Sequence, residues 1–188
     1  MARPTTPRGL AALLLAALAA LAWVPSGLLV SPLRAQQNWV EYRPPGEGFR
    51  VEFPRRPTVD EDDETGSRYG RAHTVTAKVE QPSGLAFYAT HVVYPPGTAG
   101  HEPHKVLDAE RLGRTALGEL RSERRYLFKG HPAQFETVAW HGPRPLVIVA
   151  LDVTSGDRLY SVFCFVPPGE ESRAEIQHFI DSFDLVSP

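Results

Sequence analysis

Apolar and polar residues alternate along several short segments of the chain, as expected of strands that bury one face. In the segment 49–54, FRVEFP, every second residue is apolar and the residues between are charged, until proline ends the run. The segment 73–79, HTVTAKV, alternates in the same way, and 85–94, LAFYATHVVY, is apolar at most positions. Because successive side chains of a strand point to opposite faces, we predict two half-buried strands and one central strand covered on both faces.

The second half of the chain contains further strand patterns. Residues 133–140, AQFETVAW, form one predicted strand, and the apolar runs 145–153 and 158–166 flank the tetrapeptide Thr-Ser-Gly-Asp. Two apolar runs around such a turn are typical of a hairpin, and therefore of an antiparallel pair. A short strand is also predicted at 39–42, and the acidic run 59–67, VDEDDETGS, is predicted to be a loop.

The first helical pattern follows a loop rich in proline and glycine. Its apolar residues recur at steps of three and four, and they are Ala109, Leu112, Ala116 and Leu120. This spacing predicts an amphipathic helix of about five turns, with Arg114 among the charged residues away from its apolar side. Gly113 lies on or near the apolar side, and its cost in a helix, about 1 kcal/mol relative to alanine, indicates close packing against a sheet.

The second helical pattern lies near the last residues of the sequence. Its single apolar stripe, at i, i+3, i+4 and i+7, consists of Ile176, Phe179, Ile180 and Phe183. Ser172 and Glu175 have the spacing of a capping box, which predicts where this helix begins. The order strands, helix, strands, helix favours an α+β domain, namely a single antiparallel sheet of about six to seven strands with two helices packed on it.

The N-terminal residues have the composition of an export signal. Arginines precede an apolar run at 10–24 that is shorter than the ~20 residues needed by a membrane-spanning helix. We predict a signal peptide at 1–35, cleaved after Ala35, followed by one α+β domain at 36–188. An uncleaved anchor that extends through 28–30 is the alternative. The protein is therefore expected to be periplasmic or secreted.

Charge and cysteine content narrow the possible partners. Removal of 35 residues, three of them arginines, leaves 17 basic and 22 acidic residues, a net charge of −5. No basic patch stands out, so nucleic acid is not expected as a partner. Cys164 is the only cysteine, which excludes an internal disulfide, and it lies in mid-strand between two phenylalanines. Such a thiol is predicted to be a small buried apolar group, not a nucleophile.

Two histidines, His101 and His104, lie three residues apart around Glu102 and Pro103. Zinc is usually bound by three or four ligands from fixed positions, and no second histidine pair completes a set here. We interpret the segment as an exposed loop that leads into the first helix, where proline in the first turn loses no hydrogen bond. A periplasmic metal-binding protein that uses His101, Glu102 and His104 remains the alternative.

Other chemical signals in the sequence are weak. It contains no nucleophile elbow, no P-loop and no dinucleotide-binding glycine pattern. The acidic run 60–64 lacks the glycine and glutamate that an EF-hand requires at its sixth and twelfth positions. His91 lies on the apolar side of its strand, as core histidines do, yet a hydrolase assembled in space around His91 or His131 remains open. If buried, the indoles of Trp39 and Trp140 must find hydrogen-bond partners.

Three stretches of the chain resemble one known group of proteins. They are GFRVEFPRRPTV at 48–59, FKGHPAQFE at 128–136, and RLYSVFCFV at 158–166 followed by FIDSFDL at 179–185. Together with the order of elements, they make the sequence similar to the PsbP-like group. This resemblance implies an α+β fold with helices packed on an antiparallel sheet. It also implies accessory or binding roles more than catalysis, and no catalytic residue is carried over.

These observations lead to one functional expectation and two alternatives. We expect an exported, non-catalytic accessory or binding protein of the bacterial cell envelope, without a cofactor and without assigned catalytic, cofactor-binding or metal residues. Its partner is a protein or a small ligand, it is a monomer, and it touches a membrane only if the N-terminal segment is retained. The alternatives are the metal-binding protein with His101 and His104 and the hydrolase with a spatially assembled site.

Overall fold

Strands dominate the computed structural model, which describes residues 38–67 and 70–187 and leaves the predicted signal peptide outside the described part. The described residues belong to one compact unit. The described strands are β1 Val40–Tyr42, β2 Phe49–Phe53, β3 Thr58–Ser67, β4 Gly70–Glu80, β5 Ala86–Val93, β6 Gly118–Phe128, β7 His131–Trp140, β8 Leu146–Ser155, β9 Arg158–Val166 and β10 Asp184–Leu185. The helices are α1 Pro103–Thr115 and α2 Ala174–Ser182, and a 3₁₀ turn at Ala99–His101 precedes α1.

The strands form two antiparallel sheets, so the prediction of a single sheet was wrong although the α+β class is confirmed. The larger sheet has seven strands in the order β3-β4-β5-β9-β8-β7-β6, and the smaller has the order β1-β2-β10. Alternation correctly indicated that β2 buries one face, since Phe49, Val51 and Phe53 are all buried. It could not indicate which strands β2 pairs with, because the period of two is the same in either sheet.

One face of the seven-stranded sheet, here called the inner face, is covered by β2 and α2. Apolar side chains from both elements, such as Phe53 and Phe179, pack with sheet residues such as Phe87 and Cys164 in one buried cluster. Full burial of one such large apolar side chain contributes about 1.5–3 kcal/mol. This cluster therefore supplies most of the apolar stabilisation, and the opposite, outer face is left for α1.

The elements of the second half agree well with their sequence patterns. β8 and β9 form the predicted antiparallel hairpin, whose turn lies at Gly156 with a positive φ of 58°. The stripe of α2 is buried as predicted. Its capping box is not formed, however, because Arg173 occupies the N-cap position and no side chain caps the helix.

The acidic run predicted to be a loop is part of strand β3, which pairs with β4. Charge pairs across this ladder explain why an acidic segment is extended. Asp60 pairs with Lys78 at 2.6 Å, and Asp63 pairs with Arg71 at 2.7 Å and with His73 at 2.9 Å. Opposite charges on neighbouring strands stabilise a sheet, and an edge strand leaves these side chains in water.

Helix α1 begins at Pro103, in agreement with the prediction of proline in its first turn, but it ends earlier than its pattern suggested. It ends at Thr115, and the predicted helical residue Leu120 lies in β6. The buried side chains of α1 are Val106, Leu107 and Arg114, whereas Leu112 is 54% exposed. The predicted apolar side was therefore wrong, because the helix turns the face that carries Val106, Leu107 and Arg114 toward the sheet.

The two glycines around the end of α1 have opposite surroundings. Gly113 was predicted to allow close packing, but a Cβ there would meet nothing within 4 Å. Gly118 is the position of close approach, since a Cβ there would collide with the backbone of Ala139 on β7. The first strand residue after α1 must therefore be glycine if β6 is to pair with β7.

We expect Gly113→Ala to stabilise the protein by up to about 1 kcal/mol, because alanine has the higher helix propensity and nothing obstructs its methyl group. Gly118→Ala should destabilise it by about 1–3 kcal/mol, because the methyl group forces the backbone of β6 away from β7. Urea denaturation of both variants against the parent protein measures the two effects. Destabilisation by Gly113→Ala, or a neutral Gly118→Ala, would contradict this description of the α1–β6 junction.

Candidate functional site

A row of polar side chains crosses the outer face of the seven-stranded sheet. Each member lies directly opposite the next across the ladders, and the members of this polar row are Thr76, Thr90, Ser161, Asp152 and Gln134. The row interrupts strands that are otherwise apolar, and β8 is buried at every position from Val147 to Thr154. A buried polar group is costly unless it has a hydrogen-bond partner. Helix α1 supplies that partner.

Arg114, near the last turn of α1, reaches down onto the polar row and is only 8% exposed. Its two terminal nitrogens donate to both carboxylate oxygens of Asp152, at 2.5 and 2.7 Å. One nitrogen also donates to Glu136 at 2.7 Å and the other to Ser161 at 2.7 Å. The Ser161 hydroxyl donates in turn to Asp152 at 2.7 Å. These four residues are here called the Arg114 cluster.

Burial and the neighbouring charges shift the pKa values of Arg114 and Glu136. Burial alone would lower the pKa of the Arg114 guanidinium, but Asp152 raises it, with Glu110 and Glu136 adding to the rise, so the net shift is upward. Burial raises the pKa of Glu136, with Asp152 and Glu123 adding to the rise, and the opposing effect of Arg114 leaves the net shift upward. Arg114 thus stays charged, and Glu136 takes up a proton more readily than an exposed glutamate.

Gln134 extends the cluster along β7. Its side-chain amide donates to Glu136 at 3.0 Å, and the residue is fully buried. Its carbonyl oxygen has no hydrogen-bond donor among the described residues. This part of the interface between α1 and the sheet is therefore polar, which is unusual for the contact of a helix with a sheet.

Beside the cluster lies a groove of about 310 Å³ between α1 and the outer face, here called the outer groove. Its sheet-side lining consists of Tyr88, Thr90, Val92, Ile148, Leu159, Ser161, Phe163 and Phe165, and its helix-side lining of Glu110, Arg114 and Leu117. Ligand sites in proteins are concave, mostly apolar and equipped with a few fixed polar groups, with volumes of about 300–1,000 Å³. The outer groove meets this description at the small end of the range.

Aromatic rings form one end of the outer groove. The rings of Tyr88 and Phe163 are stacked in parallel with centroids 4.9 Å apart, and Phe165 lies edge-on to both. The guanidinium of Arg114 lies over the Phe163 ring, 5.7 Å from its centroid. The Tyr88 hydroxyl donates to Glu80 at 2.7 Å, and burial together with this bond raises the pKa of Tyr88 to about 12.

Two larger depressions, each of about 530 Å³, lie elsewhere on the described residues. One lies beside α2 and is lined by residues that include Arg124, Tyr126 and Asp181. The other is lined mainly by charged and polar groups, among them Lys129 and His178. Neither combines a mostly apolar lining with a buried ionic cluster, so the outer groove is the candidate site.

The structure does not bring together the metal ligands that the alternative interpretation requires. His101 lies in the 3₁₀ turn and His104 in the first turn of α1, and both are exposed. The carboxylate of Glu102 pairs instead with Lys105. No group of three or more His, Cys, Asp or Glu side chains within residues 38–67 and 70–187 is close enough to hold a metal ion. The loop interpretation of this segment agrees with the structure, with a turn of 3₁₀ helix inside it.

The histidines considered for hydrolysis lie away from the outer groove. His91 is on the inner face, 1% exposed, with one ring nitrogen 3.0 Å from the Glu47 carboxylate. Burial lowers the pKa of His91, and the nearby Glu47 opposes this shift only in part. His131 begins β7, opposite Phe128, and is absent from the lining of the outer groove. The histidine expected on the apolar side of its strand is therefore a core residue, as predicted.

The remaining residues singled out in the sequence have packing roles. Cys164 is fully buried, and burial raises the pKa of its thiol well above the usual range. The ring of Trp39 lies against that of His178, with the centroids 4.2 Å apart and the ring planes tilted by 35°. Trp140 packs edge-on against Phe165, 5.7 Å away, beside the aromatic end of the outer groove. The prediction of a buried, unreactive cysteine agrees with this environment.

Sequence reasoning missed the Arg114 cluster. A signal was present, since Asp152 and Ser161 each interrupt a long apolar run, which is unusual for a strand buried on both faces. Arg114 had been placed away from the apolar side of its helix. Its partners Glu136 and Asp152 lie 22 and 38 residues further along the chain. Their pairing with Arg114 therefore depends on the fold and not on local spacing.

Comparisons with known proteins give no family. No protein-family model matches the chain, and no curated protein matches it. The solution structure of cyanobacterial PsbP from Synechocystis is similar, with 11% identity, coverage of 79% of this chain and 93% of that one, and a TM-score of 0.43. A crystal structure of a Pseudomonas aeruginosa protein of unknown function is similar at 14% identity, with coverage of 73% and 88% and a TM-score of 0.38. A PsbP structure, from the group that the sequence resembles, is thus among the similar structures.

Arg114→Met should destabilise the protein by about 3–5 kcal/mol, because methionine keeps much of the packing but leaves buried carboxylates without a counter-charge. The matched control is Arg121→Met, which removes an exposed pair with Glu171 at 3.0 Å and should cost no more than about 1 kcal/mol. Urea denaturation at about pH 7.5 measures both losses. Equal losses would contradict a buried ionic cluster.

The loss in the free energy of unfolding that Arg114→Met causes should also depend on pH. Without the guanidinium, the folded-state pKa of Glu136, which burial already raises, rises further above its unfolded value. Stability is then highest below the ordinary carboxyl pKa and falls as the pH rises through the folded value of Glu136. The difference between Arg114→Met and the parent should therefore shrink when denaturation is repeated at about pH 4.5. A difference that stays constant between the two pH values would refute this assignment.

Proposed function

We propose that the protein is a non-catalytic binding protein of the bacterial cell envelope and that the outer groove holds its ligand. The observation that carries this proposal is the pairing of a mostly apolar groove with a buried ionic cluster at its wall. Apolar surface gives a ligand binding energy, and a few fixed polar groups give it orientation. The groove has both features on one side of the molecule, away from the main apolar cluster.

The rigidity of the lining supports ligand binding. Thr90, Ser161 and Phe163 lie on central strands of the sheet, and each has a paired strand on both sides. Arg114 fixes α1 to the same strands through its bonds to Asp152 and Ser161. A site on strands and a helix is held more precisely than a site on loops, and a preorganised site loses less entropy on binding.

The bonding of the cluster supports a binding role over catalysis. Asp152 accepts two bonds from Arg114 and one from Ser161, so the serine hydroxyl is held by a carboxylate that is already paired. General acid–base catalysis needs a group that can exchange protons near neutral pH, most often histidine. The described lining of the outer groove contains no histidine.

Export is the part of the proposal that rests on the sequence. Basic residues followed by the apolar run 10–24 and a small residue at Ala35 have the order of a signal peptide. Among the residues that the structure describes, no helix is long and apolar enough to span a membrane. We expect the full chain, expressed in a Gram-negative bacterium, to appear in the periplasmic fraction with Gln36 as its first residue. Retention of the intact chain in the cytoplasm would contradict export.

The groove itself can be tested with two exposed leucines. Leu117 lines the outer groove and is 51% exposed, whereas Leu127 is 68% exposed and absent from that lining. We expect a library of small apolar fragments to shift the backbone amide NMR signals of Ser161 and Phe163. Leu117→Arg should abolish these shifts because it places a long charged side chain at the groove, and Leu127→Arg should leave them unchanged.

Both arginine variants should remain folded, since each replaces a side chain that is more than half exposed. Circular dichroism spectra that match the parent confirm this for each variant. The proposal of a ligand site fails if the fragments shift no signals around the groove, or if Leu127→Arg weakens binding as much as Leu117→Arg.

A further inference from the structure

We propose that the outer groove binds an uncharged aromatic ring, alone or with a hydroxyl group attached. This inference rests on the proposed ligand site and goes further by naming the chemical class of its ligand. It is carried by the engagement of both charged side chains in the lining, by aromatic surface that α1 leaves uncovered and by the volume of the groove.

The two charged side chains in the described lining of the outer groove have opposite signs, and both are engaged. Arg114 and Glu110 lie 3.9 Å apart, and Glu110 has a further interaction besides this pair. The terminal nitrogens of Arg114 also donate to the side chains of Glu136, Asp152 and Ser161. The lining therefore has no net charge and offers a ligand no counter-charge.

A charged ligand group would enter this groove without a partner. A cation at the Phe163 ring would lie beside the guanidinium of Arg114, which is already 5.7 Å from the ring centroid. An anion would find the nitrogens of Arg114 occupied and would lie close to Glu110. Because a charge that leaves water without a partner is costly, the lining disfavours ions of either sign.

The hydroxyl groups of the lining suit an uncharged polar substituent. The Ser161 hydroxyl accepts from Arg114 and donates to Asp152, each at 2.7 Å. A hydroxyl oxygen has two lone pairs, so one lone pair of Ser161 remains to accept a hydrogen bond. The Thr90 hydroxyl lies 3.2 Å from that of Thr76 and also lines the groove. A hydroxyl group on the ligand therefore finds a neutral acceptor at the floor.

Aromatic rings on the outer face are less covered than those on the inner face. Phe53 and Phe87 of the inner cluster are fully buried. The rings at the aromatic end of the outer groove are only half-buried, and they are Tyr88, Phe163 and Phe165. They lie on β5 and β9, whereas α1 packs mainly over β6, β7 and β8. The helix therefore leaves aromatic surface open beside it.

The arrangement of these rings favours an aromatic ligand over an aliphatic one. Tyr88 and Phe163 are stacked in parallel, and Phe165 is edge-on to both. Aromatic rings prefer such offset-stacked and edge-to-face contacts, which stabilise a pair beyond the burial of apolar area. A ligand ring that joins this group gains contacts with side chains held on central strands.

The volume of the groove limits the size of the ligand. An apolar cavity of about 150 Å³ is enough to enclose benzene. The outer groove has a volume of about 310 Å³, which suits one ring or two fused rings. A nucleotide or a lipid would extend beyond it, since sites for larger ligands reach about 1,000 Å³.

The experiment compares four small molecules of similar size, namely benzyl alcohol, benzylammonium, benzoate and cyclohexylmethanol. Binding of each to the purified protein at neutral pH is followed by NMR titration of the backbone amide signal of Ser161. We expect benzyl alcohol to bind about tenfold more tightly than either ion, because it loses no charge hydration. It should bind about threefold more tightly than cyclohexylmethanol, which lacks the aromatic ring.

Phe163→Leu should abolish the preference for benzyl alcohol over cyclohexylmethanol, because leucine keeps an apolar side chain but removes the ring face. The matched control is Phe135→Leu, which replaces another half-buried phenylalanine of the same sheet that lies beside α2 and not in the outer groove. It should leave the preference unchanged. Circular dichroism checks the fold of both variants, and the four titrations of the parent protein decide the inference even if a variant does not fold.

An ion that binds as tightly as benzyl alcohol would overturn the inference of an uncharged ligand. Equal binding of cyclohexylmethanol would overturn its aromatic character, and so would a preference that survives Phe163→Leu or is lost equally in Phe135→Leu. Binding of apolar fragments without binding of benzyl alcohol would also refute the inference. In all these cases the groove remains a ligand site. If neither the fragments nor any of the four molecules bind, the proposed function fails together with the inference.

Discussion

The ion pair between Arg114 and Asp152 determines where α1 lies on the sheet. Only two apolar residues of the helix, Val106 and Leu107, are fully buried, and both belong to its first half. Apolar contact is not directional, so these residues alone would leave the second half of the helix free to shift along the sheet. The bidentate bond fixes that half over β8 and β9. Burying such a pair adds little net stability, but breaking it is costly, so its main effect is to specify one arrangement.

The same alternation that builds the apolar core also separates it from the groove. Along β9, Val162 and Cys164 face the inner cluster, whereas Ser161 and Phe163 face α1. Successive residues of the strand thus face two different environments, the inner apolar cluster and the outer groove. Changes on the outer face can therefore alter the groove without creating a cavity in the main core. This separation allows a polar cluster to persist in a protein whose stability comes from β2, α2 and the inner face.

The sequence was informative where a pattern depends on local geometry. The alternation in β2, the β8–β9 hairpin and the stripe of α2 each follow from neighbouring residues, and each agrees with the structure. It was uninformative where the outcome depends on distant partners. The pairing of β2 with β10 joins residues from opposite ends of the domain, and the strand conformation of the acidic run depends on charges supplied by β4. Arg114 was misplaced for the same reason, since a helical pattern treats arginine as a surface residue unless a buried carboxylate is known.

The floor of the outer groove is made of paired strands, and its helix-side wall is formed by the C-terminal half of α1 and the residues before β6. Glu110 and Leu117 lie on this wall, on either side of Arg114. The ion pair holds the wall at its centre, and Gly118 allows β6 to pair closely with β7 directly after it. The wall is thus fixed at two points, with the groove-lining residue Leu117 between them.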